Sequence, residues 1–150
     1  MNHINVFVLV ALFGFTDWAN AVCPEKPVSI CQIVRENPIV VRAKVASTQR
    51  LVDEDDPEGV AGWLYHLDVV RDYRNGKSRR LAVMSENTTA RISLETGGEY
   101  LVFASRNSEG QLETGSYCDP SASEKFDVKT ERAVLACLRN EKASQRNRSK

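Results

Sequence analysis

The sequence predicts a mainly β domain: a small, five-stranded antiparallel Greek-key barrel with a short helix near its start and another near its end. Three observations lead there. Apolar and polar residues alternate over several short segments, as half-buried strands require. Clusters of Gly, Pro, Asn and Asp punctuate those segments at short intervals. Four cysteines bracket the strand-rich middle, Cys23 and Cys31 before it and Cys118 and Cys137 after it.

Ahead of the domain stands an export leader. Val6 to Phe15 is an apolar run broken only by Gly14, and Ala19-Asn20-Ala21 supplies the small-x-small pattern of a peptidase site. The run is too short to span a bilayer as a helix. Its positive end is only the α-amine and His3, since no Lys or Arg precedes the run. Residues 1–21 are therefore expected to be a signal peptide, leaving one domain over 22–138 and a basic tail over 139–150. The expected location is secreted, meaning extracellular or periplasmic, and the expected state is a soluble monomer with no membrane span.

The elements follow in order. Val28, Cys31 and Val34 recur at helical spacing within Pro27–Glu36, and Pro38 ends that helix. In Ile39 to Val45, Ile39, Val41, Ala43 and Val45 share one face while Arg42 and Lys44 share the other, so this is a strand. Asp53 to Gly59 is an acidic turn. It lacks the ligand spacing of an EF-hand, because Pro57 takes a ligand position and no Glu closes the loop. Trp63, Tyr65, Leu67 and Val69 align on the second strand, opposite His66, Asp68 and Asp72, and Asn75-Gly76 turns the chain. Leu81–Ser85 is the third strand, followed by a polar loop from Asn87 to Thr96. After Gly97-Gly98, Glu99 to Ala104 is apolar on both faces, the mark of a central strand. Asn107 to Gly110 turns, Gln111–Cys118 is the fifth strand, and Asp119-Pro120 ends the sheet. Asp127 caps a last helix whose inner side carries Val134, Leu135 and Leu138, with Cys137 beside Val134. The predicted barrel core is Val41, Val45, Leu67, Val69, Val83, Tyr100 and Val102.

Composition excludes several functions. Without the leader, which carries only Asp17, the chain holds 20 basic and 19 acidic residues, so no bulk field favours nucleic acid. The tail is different: Arg139, Lys142, Arg146, Arg148 and Lys150 stand against Glu141 alone. It reads as a frayed, solvated terminus, with a basic arm for an anionic surface as the rival reading. Exported cysteines favour disulfides, and four allow three pairings. No two lie close enough for a zinc knuckle, and the mature chain's one histidine, His66, lies mid-strand, so neither a metal site nor a Ser or Cys nucleophile with its base is expected. No Gly-rich phosphate loop and no apolar pocket around paired carboxylates can be read. No cofactor and no catalytic residue are expected: the chain reads as a non-enzyme. Oligonucleotide binding would need exposed aromatics among basic residues, whereas Tyr65, Tyr100 and Phe103 read as core. Asn87-Thr88-Thr89 and Asn147-Arg148-Ser149 are glycosylation sequons that matter only in a eukaryotic secretory route.

Together, the segments Val40 to Val45, Tyr65 to Val69 leading to Tyr73, Gly98 to Ala104, and Gly110-Gln111-Leu112 running to Cys118 resemble the netrin-like domain. The nearest likeness within it is the N-terminal domain of tissue inhibitors of metalloproteases. The resemblance covers nearly all of 22–138 and rests on order, spacing and cysteine placement. It implies an OB-type barrel and the pairs Cys23–Cys118 and Cys31–Cys137. Each would close a loop of roughly 100 residues, worth about 4 to 5 kcal/mol on the chain-entropy model. It also implies that the segment Val22, Cys23, Pro24 and Glu25, beside the turn after Cys118, meets the partner, a zinc metalloprotease. Three departures bear on that role. The family's N-terminal Cys-x-Cys is absent, Ala21 standing where the first cysteine would be; the loop from Asn87 to Gly98 has no cysteine to receive its bond; and the aromatic-basic-Gly turn is stretched, with Asn75 inserted. The alternative is therefore a netrin-like interaction module without inhibitory activity.

Overall fold

The computed structural model describes residues 28–56, 59–74, 76–88, 91–114 and 125–148. Its elements are α1 (Ile30–Glu36), β1 (Ile39–Val52), β2 (Val60–Asp72), β3 (Arg80–Glu86), β4 (Glu99–Arg106), β5 (Leu112–Thr114) and α2 (Val128–Arg148). The strands close a barrel in the order β1-β2-β3-β5-β4, mainly β and OB-like in form. Four of the five contacts are antiparallel, and β3 meets β5 in parallel. Closure itself demands this, since a ring with an odd number of strands cannot reverse direction at every contact.

Each end of α1 is chemically fixed. The Ser29 hydroxyl accepts from the Gln32 amide at 3.2 Å, an N-cap that moves the start to Ile30 from the expected Pro27. Pro27 lies outside the described residues. Asn37 closes the other end, its amide donating to the Ile33 carbonyl at 2.9 Å. At α2, an Asp127 carboxylate oxygen accepts from the Thr130 amide at 3.0 Å, as the sequence leads one to expect. That bond, and then one from the Lys129 amide, hold the Asp127 carboxyl below its ordinary value.

β1 runs well past its expected end at Val45, and β2, expected over Trp63 to Tyr73, starts at Val60 and ends at Asp72; the two pair along most of their length, with register shifts between Arg42 and Ala43, between Val45 and Ser47, and between Leu51 and Val52. The shift after Val45 leaves Ala46 without a partner residue on β2, a bulge that bends the strand as it leaves the barrel. Of the expected fifth strand, Leu112–Thr114 is seen, and 115–118 lie outside the described residues.

The core is one apolar cluster that takes in both faces of the sheet. Val41, Ala43, Val45, Tyr65, Leu67, Val83, Tyr100 and Val102 are all buried on the inward parity of their strands, while Val69 is half-buried. On the outward parity Val40 pairs with Phe103, and both are fully buried, as is Leu101. Ile33 and Val34 of α1 and Val134, Cys137 and Leu138 of α2 belong to the same apolar cluster. β4 is thus buried on both faces because helices cover its outer one. Removing such a side chain from water contributes about 1.5 to 3 kcal/mol.

Two expectations need correction. The loop after β3, read as polar, supplies Ile92 and Leu94 to the core at 1% and 5% exposure. The tail from Arg139, read as frayed, is helical through Arg148. Its Arg, Lys, Glu, Gln and Ala residues favour helix, and Glu141 is anchored to the barrel by Arg74.

Candidate functional site

The residues assigned to the partner contact, Val22, Cys23, Pro24 and Glu25, lie outside the described residues, as does Cys118. What the structure does describe is the platform that leads away from them. Cys31 of α1 is bonded to Cys137 of α2, with Cα atoms 5.1 Å apart. This is one of the two pairs the resemblance implies.

Two side-chain clusters fasten the helices to the barrel, and a third fastens Phe126, just ahead of α2. Arg74, just past β2, donates to the Val34 carbonyl of α1 and, at 3.2 Å, to the Glu141 carboxylate of α2. The Tyr73 hydroxyl donates to Glu131 of α2 at 2.5 Å, and Arg71 reaches the same carboxylate oxygen at 3.3 Å. Burial, and then the bond to Glu131, push the Tyr73 hydroxyl well above the ordinary tyrosine value. Arg42 donates to Glu99 at 2.5 Å and lies 3.8 Å from the centroid of the Phe126 ring. The Glu99 bond raises the Arg42 guanidinium against the opposing effect of burial. Phe126 is held in turn by its amide, which donates to the Glu99 carbonyl at 2.7 Å.

The loop between β3 and β4 is held without a cysteine. Ile92 donates its amide to the Ser85 hydroxyl at 3.2 Å and accepts from the Tyr65 hydroxyl at 3.1 Å. The Glu95 amide donates to the Tyr100 hydroxyl at 3.0 Å. Arg91 stacks on Trp63 with 4.8 Å to the ring centroid. Polar groups carried by inward-facing strand positions bond the loop backbone, so Ile92 enters the core with both its amide and its carbonyl satisfied.

Little of this resembles catalytic machinery. His66 is exposed on the outer face of β2, in register with Ser47 and Ala82. It lines a groove of about 360 Å³ with Asp68 and Arg80, a pair that is itself largely exposed. Glu113, opposite Ser105 on β4, is raised by burial and then by the nearby Glu86 charge. Among the described residues no group of three His, Cys, Asp or Glu side chains is arranged to hold a metal ion. Tyr65, Tyr100 and Phe103 are buried, which removes them as stacking surfaces for bases. No described helix is long and apolar enough to cross a membrane.

The sequence reading missed the clamp made by Arg42, Tyr73, Arg74, Glu99, Phe126 and Glu131. Its side-chain bonds from Arg42 to Glu99, from Tyr73 to Glu131 and from Arg74 to Glu141 join residues 57 to 67 apart, beyond any local periodicity. No family model matches the chain, and no curated protein matches it.

Proposed function

We infer that this chain is a secreted, disulfide-stapled OB-type barrel of the metalloprotease-inhibitor kind, and that it acts by binding protein rather than by catalysis. One observation carries the reading: a closed five-stranded barrel whose two flanking helices are joined through Cys31 and Cys137. A rigid barrel with clamped ends suits a module that presents a terminal segment, because preorganisation lowers the ordering cost of binding. The contact would be Val22, Cys23, Pro24 and Glu25, with the free Val22 amine facing the zinc of the protease.

A second reading is a netrin-like interaction module that touches no protease zinc. It is favoured by the loop after β3, which Tyr65, Ser85 and Tyr100 hold in the absence of the family's cysteine. The experiment is a titration of the exported protein, its N-terminus first identified by mass spectrometry, against a panel of zinc proteases. Inhibition that is lost when one residue is added before Val22, with an unchanged melting temperature, supports the inhibitor. Failure of the unextended protein against the whole panel leaves the interaction module.

A further inference from the structure

Five of the six cations of α2, all but Arg148 in its last turn, share one side. Successive residues turn 100° about a helix axis. On that wheel Val134, Cys137, Leu138 and Glu141 lie toward the barrel, and the first three of them are buried. Arg132, Arg139 and Arg146 follow at seven-residue intervals on the opposite side, with Lys129 and Lys142 flanking them, and all five are exposed. The two acids of the helix lie elsewhere. Glu131 keeps 13% and Glu141 26% of its side chain exposed, and both are paired with barrel arginines. The outer face is therefore cationic along about 26 Å of helix, with its arginines about 10.5 Å apart.

Helix stability does not account for this. Cations favour the C-terminal turn, where Arg146 stands, but the macrodipole opposes them near the N-terminus, where Lys129 and Arg132 stand. Net charge does not account for it either, since the chain is close to neutral overall.

We propose that the outer face of α2 is a docking strip for a linear acidic polysaccharide bearing sulfate or carboxylate groups. A straight row of regularly spaced cations complements a chain with regularly spaced anions. A membrane surface fits less well, because the apolar side of α2 is spent on the barrel and cannot insert. Single-stranded nucleic acid fits less well too, because no aromatic residue lies on the strip. The proposal is independent of protease inhibition, since the strip involves none of 22–25.

The test measures binding of the full mature protein to dextran sulfate and to polygalacturonate at physiological salt. The same titration is run with duplex DNA and with phosphatidylglycerol vesicles. The variant Arg132→Gln/Arg139→Gln/Lys142→Gln is expected to lose about tenfold in affinity, and its slope of log K against log salt to fall by about two. Gln preserves helix propensity. The charge-preserving variant Arg132→Lys/Arg139→Lys/Lys142→Arg is expected to bind within about twofold of the original, which guards against a folding artefact. Lys44→Gln/Arg79→Gln/Arg80→Gln removes the same charge from the barrel and is expected to keep its affinity. Binding to either polysaccharide with this pattern supports the proposal. No binding to either, equal losses in the helix and barrel variants, or tighter binding to DNA or vesicles overturns it.

Discussion

Removing the Cys31–Cys137 bond is the most informative perturbation of this fold. The bond spans 106 residues, and the chain-entropy model gives such a loop about 5 kcal/mol at room temperature. That figure holds if the bond acts alone. If Cys23–Cys118 is also formed, as the resemblance implies, the unfolded chain is already closed. Restoring Cys31–Cys137 then closes a circuit of only about 27 residues, through the two short segments between neighbouring cysteines, worth about 3.5 kcal/mol. The perturbation is Cys31→Ala/Cys137→Ala. Alanine is chosen because Cys137 is 7% exposed and a serine hydroxyl there would need a partner. Urea titration reads the loss, with a melting temperature lower by on the order of 10 to 20 °C. A loss near 3.5 kcal/mol that rises toward 5 when Cys23 and Cys118 are also replaced in the reference protein indicates nested bonds. A loss below about 1 kcal/mol would refute the claim that this staple restricts the unfolded chain.

Other outcomes follow from single contacts. Leu67→Ala is expected to lower stability by about 2 to 5 kcal/mol, because Leu67 is 1% exposed inside the barrel; a near-neutral urea midpoint would contradict its packing. Tyr73→Phe removes the hydroxyl that reaches Glu131 and is expected to cost about 1 to 2 kcal/mol at neutral pH. Because folding raises the Tyr73 value, its contribution is fully present below about pH 10, the unfolded value, and is lost as pH climbs toward the folded one. Alkaline denaturation should therefore be shallower in Tyr73→Phe, and an unchanged alkaline profile would count against a buried hydroxyl. Gly98→Ala places a methyl group 2.6 Å from the Tyr100 ring and 3.0 Å from the Glu95 carbonyl, so thermal melting should fall and loop amides should exchange faster. An unaltered exchange pattern would mean the loop yields freely.

Much of the barrel was legible because strand periodicity is local. Alternation from Ile39 to Val45 and from Trp63 to Val69 identifies inward residues without knowledge of neighbours, and the both-sided apolarity of β4 announces a covered outer face. Ile92 and Leu94 were illegible for the converse reason. Each is an isolated apolar residue in a polar stretch, and its burial is conferred by Ser85, Tyr65 and Tyr100 from three strands. The helical tail was hidden by its charge. A run of Arg and Lys reads as solvated, while the contact that anchors it, Glu141 with Arg74, joins residues 67 apart. The partner contact at Val22 to Glu25 was read from a resemblance alone, and it has no periodic signal of its own.

The extension of β1 past the barrel has a consequence for solution behaviour. Beyond Val45, β1 is paired along its length with β2 alone among the described strands, so its other margin is a potential template for a second chain. Several features discourage such templating. The Ala46 bulge breaks the flat ladder, the Thr48 hydroxyl lies 3.4 Å from that of Thr96, and Arg50, which donates to the Gly59 carbonyl at 2.9 Å, adds a charge to this stretch of β1. The acidic hairpin tip adds like charges that two copies would have to bring together. Long exposed strands of low charge seed ordered aggregates. This one carries bulge, cation and acid within a dozen residues, so its solubility at high concentration should depend on those few positions more than on the barrel. Replacing Arg50 with an apolar residue would put that dependence directly to work as a colloidal liability.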